Sequence, residues 1–451
     1  MRKIGILSPS GTGNLGDEAT VAVLIAEVRR RYPSSEIYGL TTNPADTLER
    51  HGVPAYPARN LAGSTVYRKP AGHENELNGN PNGALTVRDG IKRMLKRLPF
   101  IYRSLKTIGM ICAVSVNSIA ELRFIGTSLK RMNGTDLLIV AGSGQLCDNF
   151  YGAWGFPYTL LKWSVIAKAC RTKLAFLSCG AGPIDSHLSK LFIKWALRLA
   201  DYRSFRDRES KELIEKLGIN ANDPVFPDLV FSSKLRGNGN SQAGLIAINP
   251  FPHYDYRYWP ESSPTAYSSY LNRLASVVSW LIKKGYTVLL FPTQLRADPL
   301  VIEDLKAILM KDGNLDLEKY LLVQATANLD DLIAQISMAT MVVASRFHGV
   351  LMSFLLEKPV LALSHHPKVD NLMRDMGQAD YLLDIDTFDL PAVIDRFAAL
   401  ESKIDIVGRQ IKSNLTVQQR RLESQYDDLF GMWERAGGGI ESVPSKNPVP
   451  N

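Results

Sequence analysis

The sequence predicts an α/β fold of two doubly wound domains, and three observations carry this prediction. The chain has 451 residues, which is too long for a single hydrophobic core. Along two stretches, short apolar runs alternate with segments of helical period, the pattern typical of a parallel sheet with crossover helices. Between these stretches, residues 232–242 (SSKLRGNGNSQ) are polar, glycine-rich and aperiodic, which is typical of an interdomain linker.

This linker sets the predicted domain boundaries. Residues 1–235 are predicted to form the first Rossmann-like domain, with an insertion at about residues 58–131. Residues 243–400 are predicted to form the second. A long helix is expected over residues 401–437, long enough to reach both domains, and residues 438–451 are expected to be a disordered tail.

In the first domain, the predicted strands are short apolar runs, and the predicted helices carry apolar residues at three- and four-residue steps. The strands are predicted at residues 3–7, 36–40, 51–56, 137–140, 174–177 and 202–205, and the helices at residues 17–32, 158–170, 188–200 and 208–217.

The second domain repeats this alternation. Its strands are predicted at residues 245–249, 286–291, 320–323, 341–344 and 359–363, and its helices at residues 267–284, 299–310, 329–337 and 347–356, followed by the helix that begins near residue 404.

The insertion is predicted to combine a mobile loop with a basic helix. Residues 58–85 are rich in Gly, Asn, Pro and charge and have little to bury. Between Arg88 and Arg131, ten Lys and Arg residues stand against two acids, so this segment accounts for the whole net charge of +8. Apolar residues at helical spacing predict an amphipathic basic helix over residues 88–106. Three interpretations stay open: a docked surface helix, contact with an anionic membrane surface, or a face turned towards an acidic substrate.

Cysteine usage and hydropathy exclude several classes of protein. The four cysteines lack CxxC or paired spacing, so neither a zinc site nor a disulfide framework is predicted. No HExxH pattern is present, and no metal site is predicted. The N-terminal apolar run is too short for a signal peptide, and no run has the length of a membrane span. We expect a cytoplasmic protein, in solution or peripheral at the membrane, and no nucleic-acid partner, because no recognised motif accompanies the basic segment.

Three glycine-rich turns follow predicted strands of the first domain. Because the carboxyl ends of parallel strands meet at one edge of a sheet, these turns are expected to converge on a ligand cleft. The candidate contacts are Gly13, Asn14 and Asp17 after the first strand, Gly142 and Gly144 after the fourth, and Gly180 and Gly182 after the fifth. The second strand lacks the terminal acid of a dinucleotide site, and no turn has the P-loop lysine, so neither a nicotinamide cofactor nor ATP hydrolysis is expected.

The strongest candidate site lies in the second domain, in a predicted βαβ unit at residues 339–370. Ser345 is predicted to cap the helix that follows the first strand, with Arg346 and His348 at its N-terminus. Free N–H groups and the helix dipole favour an anion there, Arg346 adds a clamp for carboxylate or phosphate, and His348 can carry a proton. The alternative is a purely structural arginine and histidine.

Two polar residues at other strand ends are further candidates. Arg206 follows the strand at residues 202–205, and Gln294 follows the strand at residues 286–291. A capped helix start and an ordinary loop are the alternatives for these two positions.

Together these residues resemble the polysaccharide pyruvyl transferase family. The shared motifs are GNLGDEA (13–19), the turn 142–146, CGAGPI (179–184), RDRES (206–210), Pro227-Asp228 and SRFHGVLMSFLLEKPVLALSHHPKV (345–369). They cover nearly the whole chain apart from the insertion and the C-terminal tail. The resemblance implies a fold similar to GT-B glycosyltransferases, in which two Rossmann-like domains face each other across a cleft.

The resemblance also implies an activity, the transfer of pyruvate from phosphoenolpyruvate (PEP) to a sugar as a ketal. The family's Arg-x-His motif falls on Arg346 and His348, and its further PEP-binding arginine falls on Arg206. The second domain is then expected to bind the donor and the first the acceptor. The phosphate and carboxylate of PEP suit arginines and a helix N-terminus, and ketal formation needs a proton carrier near neutral pKa, such as His348. PEP needs no cofactor.

The expected acceptor is a sugar of an exopolysaccharide or cell-wall glycan, including a repeat unit attached to a lipid carrier. A lipid-linked acceptor would give the basic helix at residues 88–106 a purpose at the membrane surface. Two alternatives stay open. A GT-B glycosyltransferase that uses a nucleotide sugar would need a carboxylate near the end of the βαβ unit, such as Glu357 or Asp370. A non-catalytic glycan-binding protein would tolerate substitution of Arg346 and His348.

Overall fold

The computed structural model describes residues 1–60, 118–219, 222–234, 241–259 and 261–436. Two parallel sheets organise this part of the chain. The first contains β1 (Lys3–Leu7), β2 (Glu36–Thr41), β3 (Ala55–Pro57), β4 (Leu137–Val140), β5 (Lys173–Cys179) and β6 (Tyr202–Phe205). The second contains β7 (Leu245–Asn249), β8 (Thr287–Leu290), β9 (Leu321–Val323), β10 (Met341–Ala344), β11 (Val360–Ser364) and β12 (Leu382–Asp384).

Both sheets have the strand order of a doubly wound Rossmann domain. The first runs β3-β2-β1-β4-β5-β6 and the second runs β12-β11-β10-β7-β8-β9. The order reverses between β1 and β4 in one sheet and between β7 and β10 in the other, which is where such folds bind ligands. The predicted fold class, two Rossmann-like domains, is confirmed.

The central strands explain why the sequence pattern was readable. In β1, Ile4 lies opposite Ile37 of β2 and Leu137 of β4, and the three side chains are almost fully buried. Val342 of β10 is buried in the same way. Strands covered by helices on both faces must be apolar throughout, so they appear as continuous hydrophobic runs.

Helices cover the sheets. In the first domain they are α1 (Leu15–Arg31), α2 (Pro44–His51), α3 (residues 118–132), α4 (Phe156–Ala169), α5 (His187–Arg198) and α6 (Arg208–Lys216). In the second they are α7 (Pro264–Lys283), α8 (Asp298–Leu309), α9 (Leu317–Tyr320), α10 (Leu329–Met338), α11 (Phe347–Leu355), α12 (Pro367–Asp375) and α13 (Leu390–Ser402), and α14 (Ile404–Ala436) follows.

The C-terminal helix α14 contacts both domains. Near its start, Gln410 accepts a hydrogen bond from Gln378 of the second domain. Further along, Gln425 accepts from the Ser178 hydroxyl and donates to Ser204, both in the first domain and all buried. The C-terminal helix α14 therefore connects the two domains through hydrogen bonds to each of them.

Several predicted boundaries were wrong. Helix α2 was missed because PADTLERH has one buried residue and no apolar stripe; its N-terminus is capped by Asn43. The predicted strand at residues 51–56 is shorter, Ala55–Pro57, because α2 continues to His51. Helices α3, α9, α12 and α13 and strand β12 were not predicted. Ser345 does not cap α11, because Arg346 occupies the N-cap position.

Some predictions fall outside the described residues. These are most of the insertion, including the loop and the basic helix at residues 88–106, the centre of the linker at residues 235–240, and the tail at residues 438–451. Among the helices that the structure does describe, none is both long enough and apolar enough to span a bilayer.

Candidate active site

The turns at the carboxyl ends of the two sheets contact each other directly. The Leu15 N–H donates to the Thr293 carbonyl at 2.9 Å, and the Leu295 N–H donates to the Gly13 carbonyl at 2.8 Å. The Gln294 amide also donates to the Thr12 carbonyl. Gly13 and Gln294, both predicted ligand contacts, therefore hold the two domains together. Asn14 caps α1, accepting from the Gly16 N–H and donating to Asp17.

Gly16 makes room for the candidate histidine. A Cβ atom added to Gly16 would lie 2.0 Å from Cγ and Nδ1 of His348, so the first turn of α1 lies directly against the imidazole. Sequence reasoning selected Gly13 instead and missed Gly16. The glycine itself was visible in GNLGDEA, but its partner lies 332 residues away and in the other domain.

Arg346 is held rigidly by a buried carboxylate. Its Nε lies 2.7 and 2.9 Å from the Asp298 oxygens, and its Nη2 lies 2.5 Å from Oδ1. Asp298 is fully buried and also accepts from the Thr293 and Gln294 N–H groups. Burial acts to lower the pKa of Arg346, but the charge of Asp298 raises it above its usual value. Nη1 takes no part in this ion pair.

Arg206 reaches the same region from the first domain with longer contacts. Its Nη1 lies 3.4 Å from Asp228 and its Nε lies 3.5 Å from Asp207. A Cβ atom on Gly180 would lie 2.5 Å from Nη2, so that glycine provides the space for the guanidinium. The guanidinium also lies 4.7 Å from the ring centre of Phe347, the first residue of α11. Arg206 and the Arg346-His348 turn thus come together.

His348 is neutral at physiological pH. Burial lowers its pKa to about 4; Asp228 opposes this change, while Arg206, Lys368 and Arg346 add to it. The near-neutral pKa expected from the sequence is therefore not that of the free protein. A bound anion would offset the cationic neighbours and raise the pKa of His348 again.

Asp17 is a second proton carrier in the cluster. Burial raises its pKa to about 7, with further raising by Glu18 and Asp228, while the hydrogen bond from Asn14 and the charge of Arg206 lower it. Asp17 lies next to Gly16 in α1, and Gly16 touches His348. A carboxyl group with a pKa near 7 can both donate and accept a proton at neutral pH.

Lys368 belongs to the cluster although it was not singled out from the sequence. It lies in the first turn of α12, half-buried, and burial together with Arg206 and Arg346 lowers its pKa to about 8. Lys368 could have been selected from the sequence because it follows β11, the second strand of the βαβ unit. Its neighbour His366 caps α12 by accepting from the Lys368 N–H.

The remaining predicted residues serve mainly to shape turns. A Cβ atom on Gly142 would lie 2.6 Å from the Leu177 carbonyl, and Gly182 has a φ of +101°, a conformation that favours glycine. Gly144 has open space where a Cβ would point. Ser345 is buried, with its hydroxyl 3.5 Å from that of Tyr270.

The carboxylates that a nucleotide sugar would need have other partners. Glu357 is exposed and forms an ion pair with Lys412 of α14. Asp370 accepts a short hydrogen bond from the Ser364 hydroxyl. Within the described residues, no group of three or more His, Cys, Asp or Glu side chains is arranged to hold a metal ion.

A family model described as polysaccharide pyruvyl transferase matches residues 14–367. A search of curated protein sequences finds no match.

Three solved structures illustrate the similarity of fold, each at 10–11% sequence identity to this chain. Anabaena HepE in complex with UDP has a TM-score of 0.54 and 11% identity over 97% of this chain and 100% of its own. A UDP-N-acetylglucosamine 2-epimerase from Listeria monocytogenes, titled as putative, has a TM-score of 0.54 and 11% identity over 95% and 97%. S. aureus MnaA with UDP has a TM-score of 0.52 and 10% identity over 96% and 98%. At such identity the likeness concerns the fold alone.

Proposed function

The chain belongs to the polysaccharide pyruvyl transferase family, and on this basis we propose that it transfers pyruvate from PEP to two hydroxyls of a sugar, forming a ketal. One observation supports this most strongly: three cationic side chains, Arg206, Arg346 and Lys368, surround the neutral His348 where the turns of both domains meet. A small, strongly anionic substrate fits such a site. The acceptor is a sugar of an exopolysaccharide or a cell-wall glycan, free or lipid-linked.

The donor-binding groups are proposed from their contacts. Arg346 stands at the N-cap of α11, so the first N–H groups of that helix and the Arg346 guanidinium, which also contacts Tyr258, are proposed to bind one anionic group of PEP. Arg206, with its long contacts to Asp207 and Asp228, can rearrange toward the other anionic group. Lys368 supplies a third positive charge. No cofactor takes part.

The reaction balances without any further reactant. The sugar loses two hydroxyl protons: one is added to the methylene carbon of PEP, which becomes the methyl group, and the other leaves on the phosphate. The bond between C2 and the bridging phosphate oxygen breaks, and two C–O bonds form between C2 and the sugar oxygens. The chain must therefore move two protons, and we assign these movements to His348 and Asp17, while Lys368, with a pKa of about 8, supplies positive charge.

We assign the first proton movement to His348. As a neutral imidazole in the free protein it can take up a proton when PEP binds, and it can then deliver that proton to the methylene carbon. Asp17, with a pKa of about 7, is the matching acceptor for the proton of the attacking hydroxyl. These roles follow from the two pKa shifts and from the contact between the Gly16 turn and His348.

Calorimetric titration with PEP tests the proposal. In buffers of different ionisation enthalpy, wild type should take up a proton on binding PEP between pH 5 and 7, because the anion raises the pKa of His348 from about 4. PEP affinity should accordingly rise as the pH falls, relative to the His348→Asn variant. That variant should bind PEP without the proton uptake, which separates this effect from the titration of PEP itself.

Two outcomes would contradict the proposal. PEP binding with the same proton uptake in His348→Asn would remove His348 from the chemistry. Binding of a uridine nucleotide sugar with no response to PEP would reassign the chain to nucleotide-sugar chemistry.

A further inference from the structure

Helix α5 presents an unusual face to solvent. Its sequence, HLSKLFIKWALR, buries Ile193, Ala196 and Leu197 against the first domain. On the opposite side, Leu188, Leu191 and Trp195 are 38%, 48% and 48% exposed. Their spacing of three and four residues places them on one stripe of the helix. Large apolar side chains at this spacing on the outside of a helix are typical of a surface that has a partner.

A basic stripe accompanies the apolar one. Lys190, Lys194 and Arg198 repeat every four residues, and α5 contains no acidic residue. Arg198 is exposed, whereas Lys190 and Lys194 are half-buried and the Lys194 ammonium lies near Gly218. Arg198 lies 5.5 Å from the ring centre of Trp195, so the two stripes touch. The acid beyond the end of the helix, Asp201, is already paired with Lys168 and Lys173. We call the two stripes together the α5 face.

Aromatic side chains extend the α5 face towards the turn after β4. Trp154 is 60% exposed, and its ring centre lies 5.7 Å from that of Phe192 in α5 and 5.3 Å from that of Tyr158 in α4. Tryptophan is enriched where proteins meet the interface of a bilayer, because the ring is amphipathic.

The α5 face lies beside the candidate active site. Helix α5 follows the turn after β5, in which Gly180 touches Arg206. The turn after β4, which contains Cys147, leads to Trp154, and its Leu146 N–H donates to the Gly180 carbonyl. Helix α5 starts at this carboxyl edge and ends just before β6, so Trp154 and Leu188 lie at the sheet edge proposed for the acceptor, whereas Trp195 and Arg198 lie at the far end of the helix.

We propose that the α5 face docks the protein onto an anionic lipid bilayer. Leu188, Leu191, Trp195 and Trp154 would enter the interfacial layer, and the lysines and Arg198 would bind the headgroups. Charge complementarity favours a bilayer over a second copy of the chain, since two α5 faces would oppose their basic stripes. The proposal does not depend on PEP chemistry, but it would bring a lipid-linked sugar to the mouth of the site.

This surface is separate from the segment for which membrane contact was predicted. Residues 88–106 lie outside the described part of the chain, whereas every residue of the α5 face is described. The two can be told apart by substitution.

Vesicle flotation of the full-length protein tests the proposal. Wild type should float with vesicles of phosphatidylcholine and phosphatidylglycerol in equal amounts and stay behind with phosphatidylcholine alone. The charge variant Lys190→Glu, Lys194→Glu, Arg198→Glu should lower the partition coefficient at least about a hundredfold, because each basic residue near an anionic surface contributes about fivefold. The apolar variant Leu191→Ser, Trp195→Ser should lower it at least about tenfold.

Matched controls exist in the second domain and in α14. Lys284→Glu, Lys311→Glu, Lys403→Glu makes the same change in charge at exposed positions, and Ile406→Ser, Val417→Ser removes apolar residues that are 58% and 50% exposed. The apolar control should float like wild type. The charge control should lower the partition coefficient less than the α5 charge variant, because it changes only the net charge of the protein. Far-ultraviolet circular dichroism and thermal unfolding, measured in parallel, show that each variant is folded whether or not the protein binds PEP.

Three results would overturn the proposal. One is a wild type that binds PEP but not anionic vesicles, which would leave the proposed function standing. Another is flotation of both α5 variants like wild type, which would place membrane contact elsewhere, such as residues 88–106. The third is a dimer that light scattering shows to dissociate in the apolar variant, which would make the α5 face an interface between copies.

Discussion

Arg346 and Arg206 enter the site from opposite domains, and their surroundings differ. Arg346 makes contacts of 2.5 to 2.9 Å with a carboxylate that is fully buried, and that carboxylate also binds two backbone N–H groups. Arg206 lies at 3.4 and 3.5 Å from its two carboxylates. The first arginine is fixed in place by the protein, whereas the second is held loosely. We infer that Arg346 organises the site and that Arg206 moves to meet the ligand.

The largest effect is expected when the ion pair between Arg346 and Asp298 is removed. Asp298→Ala leaves the Arg346 guanidinium buried without its counter-charge and leaves two N–H groups without an acceptor. The free energy of unfolding should fall by about 3–5 kcal/mol, and PEP binding should be lost. Urea denaturation measures the first effect and calorimetry the second. Asp298→Asn should lose less stability, since it keeps an acceptor; equal stability of wild type and Asp298→Ala would show that Arg346 is not anchored by this pair.

An intermediate effect on PEP binding is expected when Arg206 is substituted. Arg206→Ala should weaken PEP binding about ten- to a hundredfold, the contribution of hydrogen bonds to a charged group, with a smaller loss of stability than Asp298→Ala. Arg208→Ala is the matched control, because that side chain lies two residues away, is 88% exposed and pairs only with Glu212 among the contacts described. If Arg206→Ala destabilised the protein as much as Asp298→Ala, the contrast between the two arginines would be mistaken.

The smallest expected effect concerns the space between the domains. Gly16→Ala should lower kcat about tenfold, because the new methyl group displaces the His348 ring and such displacements cost catalysis. PEP affinity should change less. The higher helix propensity of alanine offsets only part of the cost of this overlap, so urea denaturation of Gly16→Ala has to be measured beside kcat. Gly126→Ala in α3, whose methyl group would meet open space, should keep wild-type activity; equal effects of the two would argue against the contact with His348.

The local part of the site was predictable. Arg346, His348 and Arg206 each directly follow a buried strand or begin a helix, and strand ends in doubly wound sheets are where ligands bind. That signal needs only a short window of sequence. It also drew in Ser345 and Asn14, polar residues beside the same turns, but Ser345 lies buried against Tyr270 and Asn14 caps α1.

The sequence by itself determined the presence of both Rossmann-like sheets, all of their strands except β12, and the turns at their strand ends. Strands covered by helices on both faces must be apolar throughout. Each central strand therefore appears in the sequence as a mainly apolar run of four to seven residues. No such pattern marks α2, in which Thr47 is the one buried residue.

Only the tertiary structure decided which side chains meet. Asp298 lies 48 residues before Arg346, and Gly16 lies in the other domain from His348. Their contacts depend on how two sheets are placed against each other, which no local pattern records. The pKa values of His348, Asp17 and Lys368 depend on the same placement, because burial between the domains is the largest cause of each shift.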